Sequence, residues 1–253
     1  MLPILQIGPA ALPVPALLLL AGFWLGLDLT EKHAPRFQAS ANQIYHMVLV
    51  ALLAGLLGAR ISYAIQSPAA FAASPLSLLA IQPQMLDLPG GLLFAALAAL
   101  IYGQRRKMAL WSTLDALVSL FAVMLITLGL ANFASGDGFG APTSLPWAID
   151  IWGAQRHPTQ VYETLAALLV AALTWPGSPI ARRSEASTQP GLRFWAFLAL
   201  TGFSQVLLQG FRGDSVLLAG LRSAQVLGWM VLAISLWQIG QRLRRNADGP
   251  GTD

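Results

Sequence analysis

The chain has 253 residues, of which 56% are hydrophobic and only 10% are charged, and its net charge is +4. A soluble domain carries about 25% charged residues, so this composition excludes an ordinary soluble protein. Because there is no cysteine, disulfides, thiolate nucleophiles and thiolate metal sites formed by the chain itself are also excluded.

Apolar runs along the chain have about the length needed to cross a hydrocarbon core of about 30 Å. The alternation of apolar and polar residues that marks a membrane β-barrel is absent. The N-terminus lacks a basic segment and a clear cleavage site, so we expect no removable signal peptide. We therefore predict an all-α integral membrane protein, a single polytopic membrane domain over residues 1–253. Its seven transmembrane helices are predicted at about Leu12–Leu27, Ile44–Ile65, Asp87–Tyr102, Trp111–Leu130, Thr159–Trp175, Leu192–Leu208 and Arg222–Ile239.

Three details refine this prediction. A polar loop containing Glu31, Lys32 and His33 is expected after the first span, which should end at Asp28. In the second span, Gly55 and Gly58 would let a neighbouring helix approach closely. The segment Leu76–Ile81 is too short to cross and is expected to lie in the membrane interface.

Lysine and arginine are distributed unevenly between the two sets of loops, which predicts the orientation. If the N-terminus is outside, the outer face holds only Arg60, Arg156, Arg212 and Arg222. The cytoplasmic loops and flanks then hold Lys32, Arg36, Arg105, Arg106, Lys107, Arg182, Arg183, Arg193, Arg242, Arg244 and Arg245. We therefore predict an outer N-terminus and a cytoplasmic C-terminal tail at about 241–253. The scattered basic residues do not indicate nucleic-acid binding.

An outer-face loop region at about 131–158 is too long to be an ordinary connector. It contains glycines at 136, 138 and 140 and four aromatic residues, Phe133, Phe139, Trp147 and Trp152, which we expect to anchor it. The predicted orientation places it on the same face as the Pro89-Gly90-Gly91 helix start and the turn around Arg212. The meeting of these three segments predicts a site at the outer surface.

The outer-face arginines allow two interpretations. A guanidinium group suits a phosphate because its planar fork can donate two hydrogen bonds, so Arg60 and Arg212 could hold a phospholipid headgroup. Alternatively, these side chains form structural pairs with Asp87, Asp137, Asp214 or Glu163, or extend to the interface.

Other polar residues have similarly open roles. Gly90 and Gly91 could leave helix N-terminal amides free for an anion or could permit close packing. His157 could act as a base or could be a scaffold residue. Asn132 and Asp137 could bind a ligand or brace the loop, and Asp115 is expected to be a helix-end or paired carboxylate. No spaced set of metal ligands is evident, so we predict no metal and no cofactor.

Short motifs in this loop resemble the signature region of the prolipoprotein diacylglyceryl transferase family. They are NF at 132–133, GD at 136–137, Gly140, PT at 142–143, LPWA at 145–148 and RHPTQVYE at 156–163. Gly58-Ala59-Arg60 with Tyr63, Pro89-Gly90-Gly91, Phe211-Arg212 with Asp214, and Gln225 occur in the family's order. The resemblance covers about residues 10–240.

The resemblance implies an enzyme of the bacterial plasma (inner) membrane with its site on the outer side. Such enzymes transfer the diacylglyceryl group of phosphatidylglycerol, a membrane lipid, to the lipobox cysteine thiol of a prolipoprotein signal peptide, without a cofactor. On this basis we predict Arg212, His157 and Asp137 as catalytic residues. The predicted substrate-binding residues are Arg60, Gly90, Gly91, Asn132, Gly140, Arg156, Gln160, Tyr162 and Glu163.

The sequence departs from the family's pattern at four positions. Pro89 stands where the family usually has histidine, and Gly129 where it usually has arginine. Asp137 replaces a glutamate and Ser135 an asparagine. A second hypothesis is therefore a diverged relative that binds phospholipid or lipoprotein without transfer. A third is a transporter or scaffold, against which the lack of internal repeats argues.

Overall fold

The computed structural model describes residues 4–7, 10–68, 85–185, 189–215, 217–218 and 221–247. Helices dominate this part of the chain. They are α1 (Val14–His33), α2 (Ala41–Gln66), α3 (Leu88–Arg105), α4 (Leu110–Ser135), α5 (Thr159–Thr174), α6 (Pro179–Glu185), α7 (Leu192–Leu208) and α8 (Ser223–Ala247). Short 3₁₀ turns follow α1 (Ala34–Phe37) and α7 (Gln209–Phe211). The interfacial segment predicted at Leu76–Ile81 lies outside the described residues.

Within the described ranges, five helices are long and apolar enough to cross a membrane. These are α1 with its 3₁₀ turn, α2, α4, α7 with its 3₁₀ turn, and α8. The pair α5 and α6, bent by 48°, makes a sixth if it is counted as one span. Helix α3, the predicted third span, has 18 residues, or about 27 Å of helix, and is not among them. The chain is thus a helical multi-pass membrane protein, and the total of seven spans stays a prediction.

Several helices extend beyond their predicted ends, and the longest extension is that of α8, which ends at Ala247 rather than Ile239. The prediction of a polar loop at Glu31, Lys32 and His33 is wrong, because α1 continues to His33. Polar residues do not end this helix, since Lys32 pairs with Asp28 one turn earlier at 2.7 Å. Helix α4 runs to Ser135 rather than Leu130. Asn132, predicted to lie in the loop region, is therefore in the last turn of a helix.

Short strands were absent from the all-α prediction. Among the residues that it describes, the structure has three antiparallel two-stranded hairpins: β1 (Ile4–Ile7) with β2 (Ala10–Pro13), β3 (Ile149–Ile151) with β4 (Ala154–Arg156), and β5 (Leu217–Leu218) with β6 (Leu221–Arg222). In the second hairpin, Ile151 pairs with Ala154. Its two turn residues, Trp152 and Gly153, have φ values of +56° and +74°, as a tight two-residue hairpin turn requires.

The chain divides into two compact units, one of Met1–Gln38 with Leu114–Asp253 and one of Ala39–Thr113. In the first unit, Val118 and Ala122 of α4 pack with Val170 of α5 and Phe197 of α7. Helices α7 and α8 approach closely at Gly202 and Gly228, where an added Cβ would lie 3.0–3.2 Å from the opposite glycine's carbonyl oxygen. The core of this unit is thus built from interhelical contacts of small and apolar residues.

A buried arginine joins several elements of this first unit. Arg193, 1% exposed, donates from Nε to the Thr174 carbonyl at 2.7 Å and from Nη2 to Ser119 Oγ at 3.1 Å. Its guanidinium lies 4.6 Å from the Phe37 ring centroid. The Asp115 carboxylate accepts the Phe194 amide in the first turn of α7, which confirms the prediction that Asp115 is a helix-end carboxylate.

In the second unit, α2 and α3 pack through glycines. A Cβ at Gly58 would lie 2.3 Å from the Phe94 side chain, and one at Gly55 would lie 3.1 Å from that of Ala95. The prediction that these glycines admit a neighbouring helix is confirmed. The amide of Asp87, just before α3, donates to the Ala59 carbonyl at 3.0 Å, which ties the start of α3 to the second half of α2.

We predict that Arg193→Met lowers the free energy of unfolding by about 3 kcal/mol, because it leaves buried acceptors on α4 and α5 without their donor. The change would be measured as a drop in melting temperature of the detergent-purified protein. Arg182→Met is the control, since Arg182 is exposed and bonds only the nearby Gly177 carbonyl. Equal melting temperatures for the two variants would contradict this role of Arg193.

Candidate functional site

The loop after α4 folds into a small sheet-like layer within the first unit. Residues 139–143 lie between β4 and the turn at 211–213. On one side the His157 amide donates to the Ala141 carbonyl at 3.1 Å, and on the other the Ala141 amide donates to the Phe211 carbonyl at 2.7 Å. Isolated bridges pair Pro142 with Arg156 and Gly140 with Arg212. This pairing brings His157 and Arg212, predicted from distant parts of the sequence, to opposite sides of one strand.

The first turn of α5 fastens this layer to the helices. Thr159 and Gln160 are fully buried. Thr159 Oγ1 donates to the Gly138 carbonyl at 2.6 Å, and Gln160 Nε2 donates to the Asp137 carbonyl at 2.9 Å. Gln160 therefore positions the loop in the structure, while its Oε1 has no hydrogen-bond partner among the described residues.

The aromatic anchors expected for the loop are only partly correct. Trp152 is 70% and Trp147 is 56% exposed. Trp152 donates to the Gly136 carbonyl at 3.3 Å and Trp147 donates to the Tyr162 hydroxyl at 2.8 Å. The loop is held mainly by backbone pairing and by buried polar side chains. Its buried main-chain N–H and C=O groups need hydrogen-bond partners, and these contacts supply them.

Arg212 binds two carboxylates at once. Its Nε and Nη2 donate to Asp214 at 2.9 Å, and its Nη1 donates to Glu163 of α5 at 2.8 Å. The hydrogen bonds that Arg212 donates to Asp214, together with the negative charges of Glu163 and Asp214, raise the pKa of Arg212 above its ordinary value despite burial. Burial alone would raise the pKa of Asp214, but the hydrogen bond and charge of Arg212 outweigh it and the pKa is lowered. Structural pairing, one of the two interpretations of this arginine, is therefore present.

Glycines make room for these contacts. A Cβ at Gly138, where φ is +65°, would lie 3.1 Å from Arg212 Nη2. A Cβ at Gly140 would lie 2.3 Å from the carbonyl oxygen of His157, a distance that no side chain can occupy. Gly140, predicted as a substrate-binding residue, thus allows the His157 and Arg212 strands to approach each other.

Arg156 and His157 lie side by side at the end of β4. Arg156 donates to the Ile151 carbonyl at 3.2 Å and to the Gly140 carbonyl at 3.3 Å, and its guanidinium stands 4.8 Å from the Phe139 ring centroid. The His157 ring packs edge-on against Phe211 at 5.2 Å and Tyr162 at 6.3 Å. Its Nδ1 is buried without a hydrogen-bond partner in the described part of the chain.

The remaining predicted residues of this unit are placed differently. Asp137 is exposed, and its carboxylate has no hydrogen-bond partner among the described residues, although its main chain holds the loop. Asn132 is half-buried in the last turn of α4, and its amide nitrogen would lie 3.4 Å from a Cβ at Gly138. Tyr162 faces Trp147 and the His157 ring.

Arg60, Gly90 and Gly91 belong to the second unit. Arg60 is 9% exposed and donates to the Met85 carbonyl at 3.0 Å. The Gly90 amide donates to the Asp87 carboxylate at 2.8 Å and the Gly91 amide to the Asp87 carbonyl at 2.9 Å. Hydrogen bonds from Ser62 and the Gly90 amide lower the pKa of Asp87. Of the two interpretations for these glycines, the structure favours close packing, since a Cβ at Gly90 would lie 2.3 Å from Ser62.

A cleft opens between α4, α5 and α7 of the first unit. Its lining residues are Leu125, Leu128, Gly129, Glu163, Ala167, Val170, Thr201, Ser204, Gln205 and Leu208. Because Glu163 also binds Arg212, the cleft begins at the ion pair. Thr201, Ser204 and Gln205 are not among the site residues that the sequence predicts. The feature of the sequence that could have indicated them is their spacing, which places them on one helical face.

Two of the four departures from the family's pattern, Pro89 and Gly129, have local explanations. Pro89 lies in the first turn of α3, a position that suits proline. Gly129 is buried where α4 meets α5, and a Cβ there would lie 2.3 Å from Thr164 Oγ1. Since Thr164 Oγ1 itself bonds the Gln160 carbonyl at 2.7 Å, this helix contact leaves no room for a longer side chain.

We predict that Gly129→Ala destabilises the protein and that Thr164→Ala, which removes the clashing hydroxyl, relieves most of the damage. The coupling between the two sites should be about 1–2 kcal/mol in a double-mutant cycle of thermal stability. Gly103→Ala is the control, since a Cβ at Gly103 would meet nothing within 4 Å. Additive effects of the two substitutions would contradict the contact.

Comparison with known proteins gives a consistent result. The family model described as prolipoprotein diacylglyceryl transferase matches residues 3–240. The chain is 31% identical to a phosphatidylglycerol–prolipoprotein diacylglyceryl transferase of Streptococcus pneumoniae (strain Hungary19A-6), covering 96% of the chain and 94% of the relative. Relatives with the same name from Nostoc sp. and Synechococcus elongatus are 27% and 26% identical, covering 92% of the chain and 86% and 84% of the relatives. The chain therefore belongs to the prolipoprotein diacylglyceryl transferase family.

Proposed function

We propose that this protein is a diacylglyceryl transferase that moves the diacylglyceryl group of phosphatidylglycerol to the thiol of a prolipoprotein cysteine. The observation that carries the proposal is Arg212, held by Glu163 and Asp214 at the mouth of a cleft between apolar helices. A cationic group at the entrance of an apolar cleft suits a lipid with a phosphate headgroup. The names of the relatives supply the two substrates.

The chemistry requires a thiol that the chain does not have, so the lipobox cysteine of the substrate supplies it. Its sulfur attacks the carbon of the diacylglyceryl group that is bonded to the phosphate oxygen. The carbon–sulfur bond forms as this carbon–oxygen bond breaks. The bonding electrons stay on the phosphate oxygen, and glycerol phosphate leaves. The site must therefore take the thiol proton and stabilise charge on the leaving phosphate.

Arg212 is proposed to bind the phosphate without releasing its carboxylates. A guanidinium has five N–H groups, and the ion pairs use three of them. The two that remain can donate to a phosphate oxygen. Arg156 supplies a second positive charge next to it across Gly140, and in the described chain no carboxylate lies within ion-pair distance of Arg156.

His157 is proposed to accept the thiol proton. It lies across the 139–143 strand from Arg212, and its Nδ1 has no hydrogen-bond partner among the described residues, so this nitrogen can accept a proton. Asp137 and Asn132 are proposed to shape the entrance, together with Gln160 and Tyr162.

The deciding experiment is a transfer assay with detergent-purified protein, phosphatidylglycerol and a lipobox peptide, read by mass spectrometry of the thioether product. We expect product from the natural chain and a loss of about 100-fold or more in Arg212→Ala, because a developing charge loses its donor. Arg105→Ala, an exposed change at the end of α3, should retain full activity.

Two outcomes would contradict the proposal. Full turnover in Arg212→Ala would exclude the assigned role of that residue. Phospholipid binding without any product, beside an active relative in the same assay, would favour the hypothesis of a diverged binding protein.

We further propose a bacterial inner-membrane protein with seven spans, an outer N-terminus and the β3–β4 hairpin outside. The uneven distribution of basic residues supports this orientation. Because the chain has no cysteine, single cysteines can test it directly. A membrane-impermeant thiol reagent should label Asp150→Cys in intact cells, and it should label Arg106→Cys only after permeabilisation. The reverse pattern would invert the topology.

A further inference from the structure

One wall of the cleft is a stripe of neutral polar residues on α7. Thr201, Ser204, Gln205 and Leu208 are spaced at i, i+3, i+4 and i+7, so they share one helical face. The opposite walls carry aliphatic groups, including Leu125 and Val170. From Glu163 to Val170 the cleft follows seven residues of α5, or about 10 Å. The cleft thus extends from the ion pair at its mouth for about two turns along α5.

Thr201 is the stripe residue with an unused donor. The Ser204 hydroxyl donates to the Thr201 carbonyl at 2.8 Å, and Gln205 Oε1 accepts from Gln209 Nε2 at 3.1 Å. Thr201 Oγ1 is buried and has no hydrogen-bond partner within the described residues. Buried polar atoms in proteins nearly always have a partner, so this hydroxyl calls for an acceptor on a ligand.

Three other helical threonines of the same unit behave differently, whereas the Thr30 hydroxyl of α1 is, like that of Thr201, buried without a partner among the described residues but lies outside the cleft lining. Thr127, Thr164 and Thr174 each donate to the carbonyl four residues earlier in their own helix, at 3.0, 2.7 and 2.7 Å. This local bond is the usual way for a threonine in an apolar helix to satisfy its hydroxyl. Thr201 lacks it, although it has the same position within a regular helix.

The cleft lining excludes a phosphate as the group bound next to Thr201. Its lining residues include no lysine, arginine or histidine, and the only charged one, Glu163, is paired with Arg212 at 2.8 Å. A hydroxyl donor beside aliphatic walls instead suits an ester carbonyl followed by an acyl chain. In a glycerophospholipid these ester groups lie a few bonds from the phosphate, which suits a headgroup held by Arg212 at the mouth.

We propose that the cleft binds the ester-linked acyl part of the lipid substrate and that the Thr201 hydroxyl donates to an ester carbonyl, which makes Thr201 a specificity-determining residue. This inference rests on the proposed function, since it assumes that the lipid headgroup occupies the Arg212 site. Gly129, which also lines the cleft, contributes by leaving its wall without a side chain.

The test compares diester phosphatidylglycerol with a diether analogue that has the same headgroup and chains but no ester carbonyl. Binding to the full chain in detergent would be measured by native mass spectrometry, and KM for transfer would be measured separately. We expect the natural protein to bind the diester about tenfold more tightly, as one lost hydrogen bond predicts. Thr201→Val should bind both lipids equally, at the level of the diether.

Three further variants sharpen the result. Thr127→Val removes a hydroxyl that its own helix satisfies outside the cleft lining, so it should keep the diester preference. Thr201→Ser keeps the donor and should also keep it. If Thr201→Val does not fold, Thr201→Ala takes its place in the test, since it also removes the hydroxyl. Melting temperatures would verify that each variant is folded.

The outcomes separate this inference from the proposed function. A diester preference that survives in folded Thr201→Val or Thr201→Ala would overturn the inference, as would equal binding of both lipids by the natural chain. A Thr201-dependent preference without any thioether product would uphold the cleft assignment and overturn the transferase proposal.

Discussion

Arg212 holds two carboxylates at the point where the loop layer meets the helices, and the geometry of the site depends on this arrangement. Glu163 comes from the first turns of α5, and Asp214 comes from the turn after α7. One guanidinium therefore links the helix that carries the Thr159 and Gln160 anchors to the strand that pairs with Gly140. Without it, two carboxylates about one guanidinium width apart would repel each other in a half-buried site.

Close backbone approach makes this arrangement possible. Gly138 leaves room for Arg212 Nη2, and Gly140 leaves room for the His157 carbonyl. A Cβ at Gly213 would lie 2.7 Å from the Gly140 carbonyl oxygen. Three glycines on two chain segments thus bring strands together where side chains would separate them. The glycine-rich composition of the loop is a packing requirement, and the binding groups are the side chains that this packing positions.

Part of this structure could be predicted from the sequence, because burial in a membrane imposes a simple pattern. Long apolar runs located most helices, and α7 has the bounds that the pattern predicts. Helix ends were less predictable. A Lys32–Asp28 pair one turn apart satisfies both charges within a helix, so polarity alone did not mark its end. The β3–β4 hairpin was hidden because Trp152, unusual at a φ of +56°, occupies its turn.

The residues of the site were also only partly predictable from the sequence. Arg212, His157 and Gln160 stood out because polar residues are rare in this chain, and the structure brings them to one layer. Thr201 did not stand out, because a threonine in an apolar helix ordinarily bonds its own carbonyl four residues earlier. Only the coordinates distinguish it from Thr174, which makes that bond.

The charges around Arg212 limit how a phosphate can be held. Arg212 with Glu163 and Asp214 sums to one net negative charge, so this cluster alone would repel an anion. Arg156 adds one positive charge through Gly140 and brings the sum to neutrality. Gly129, packed against Thr164, adds none. In the proposed mechanism, directed N–H donors, two from Arg212 and others from Arg156, therefore stabilise the leaving phosphate more than excess positive charge does. Hydrogen bonds of this kind are strongest where water is excluded, so the proposal requires the bound lipid to cover the exposed Arg212–Asp214 pair.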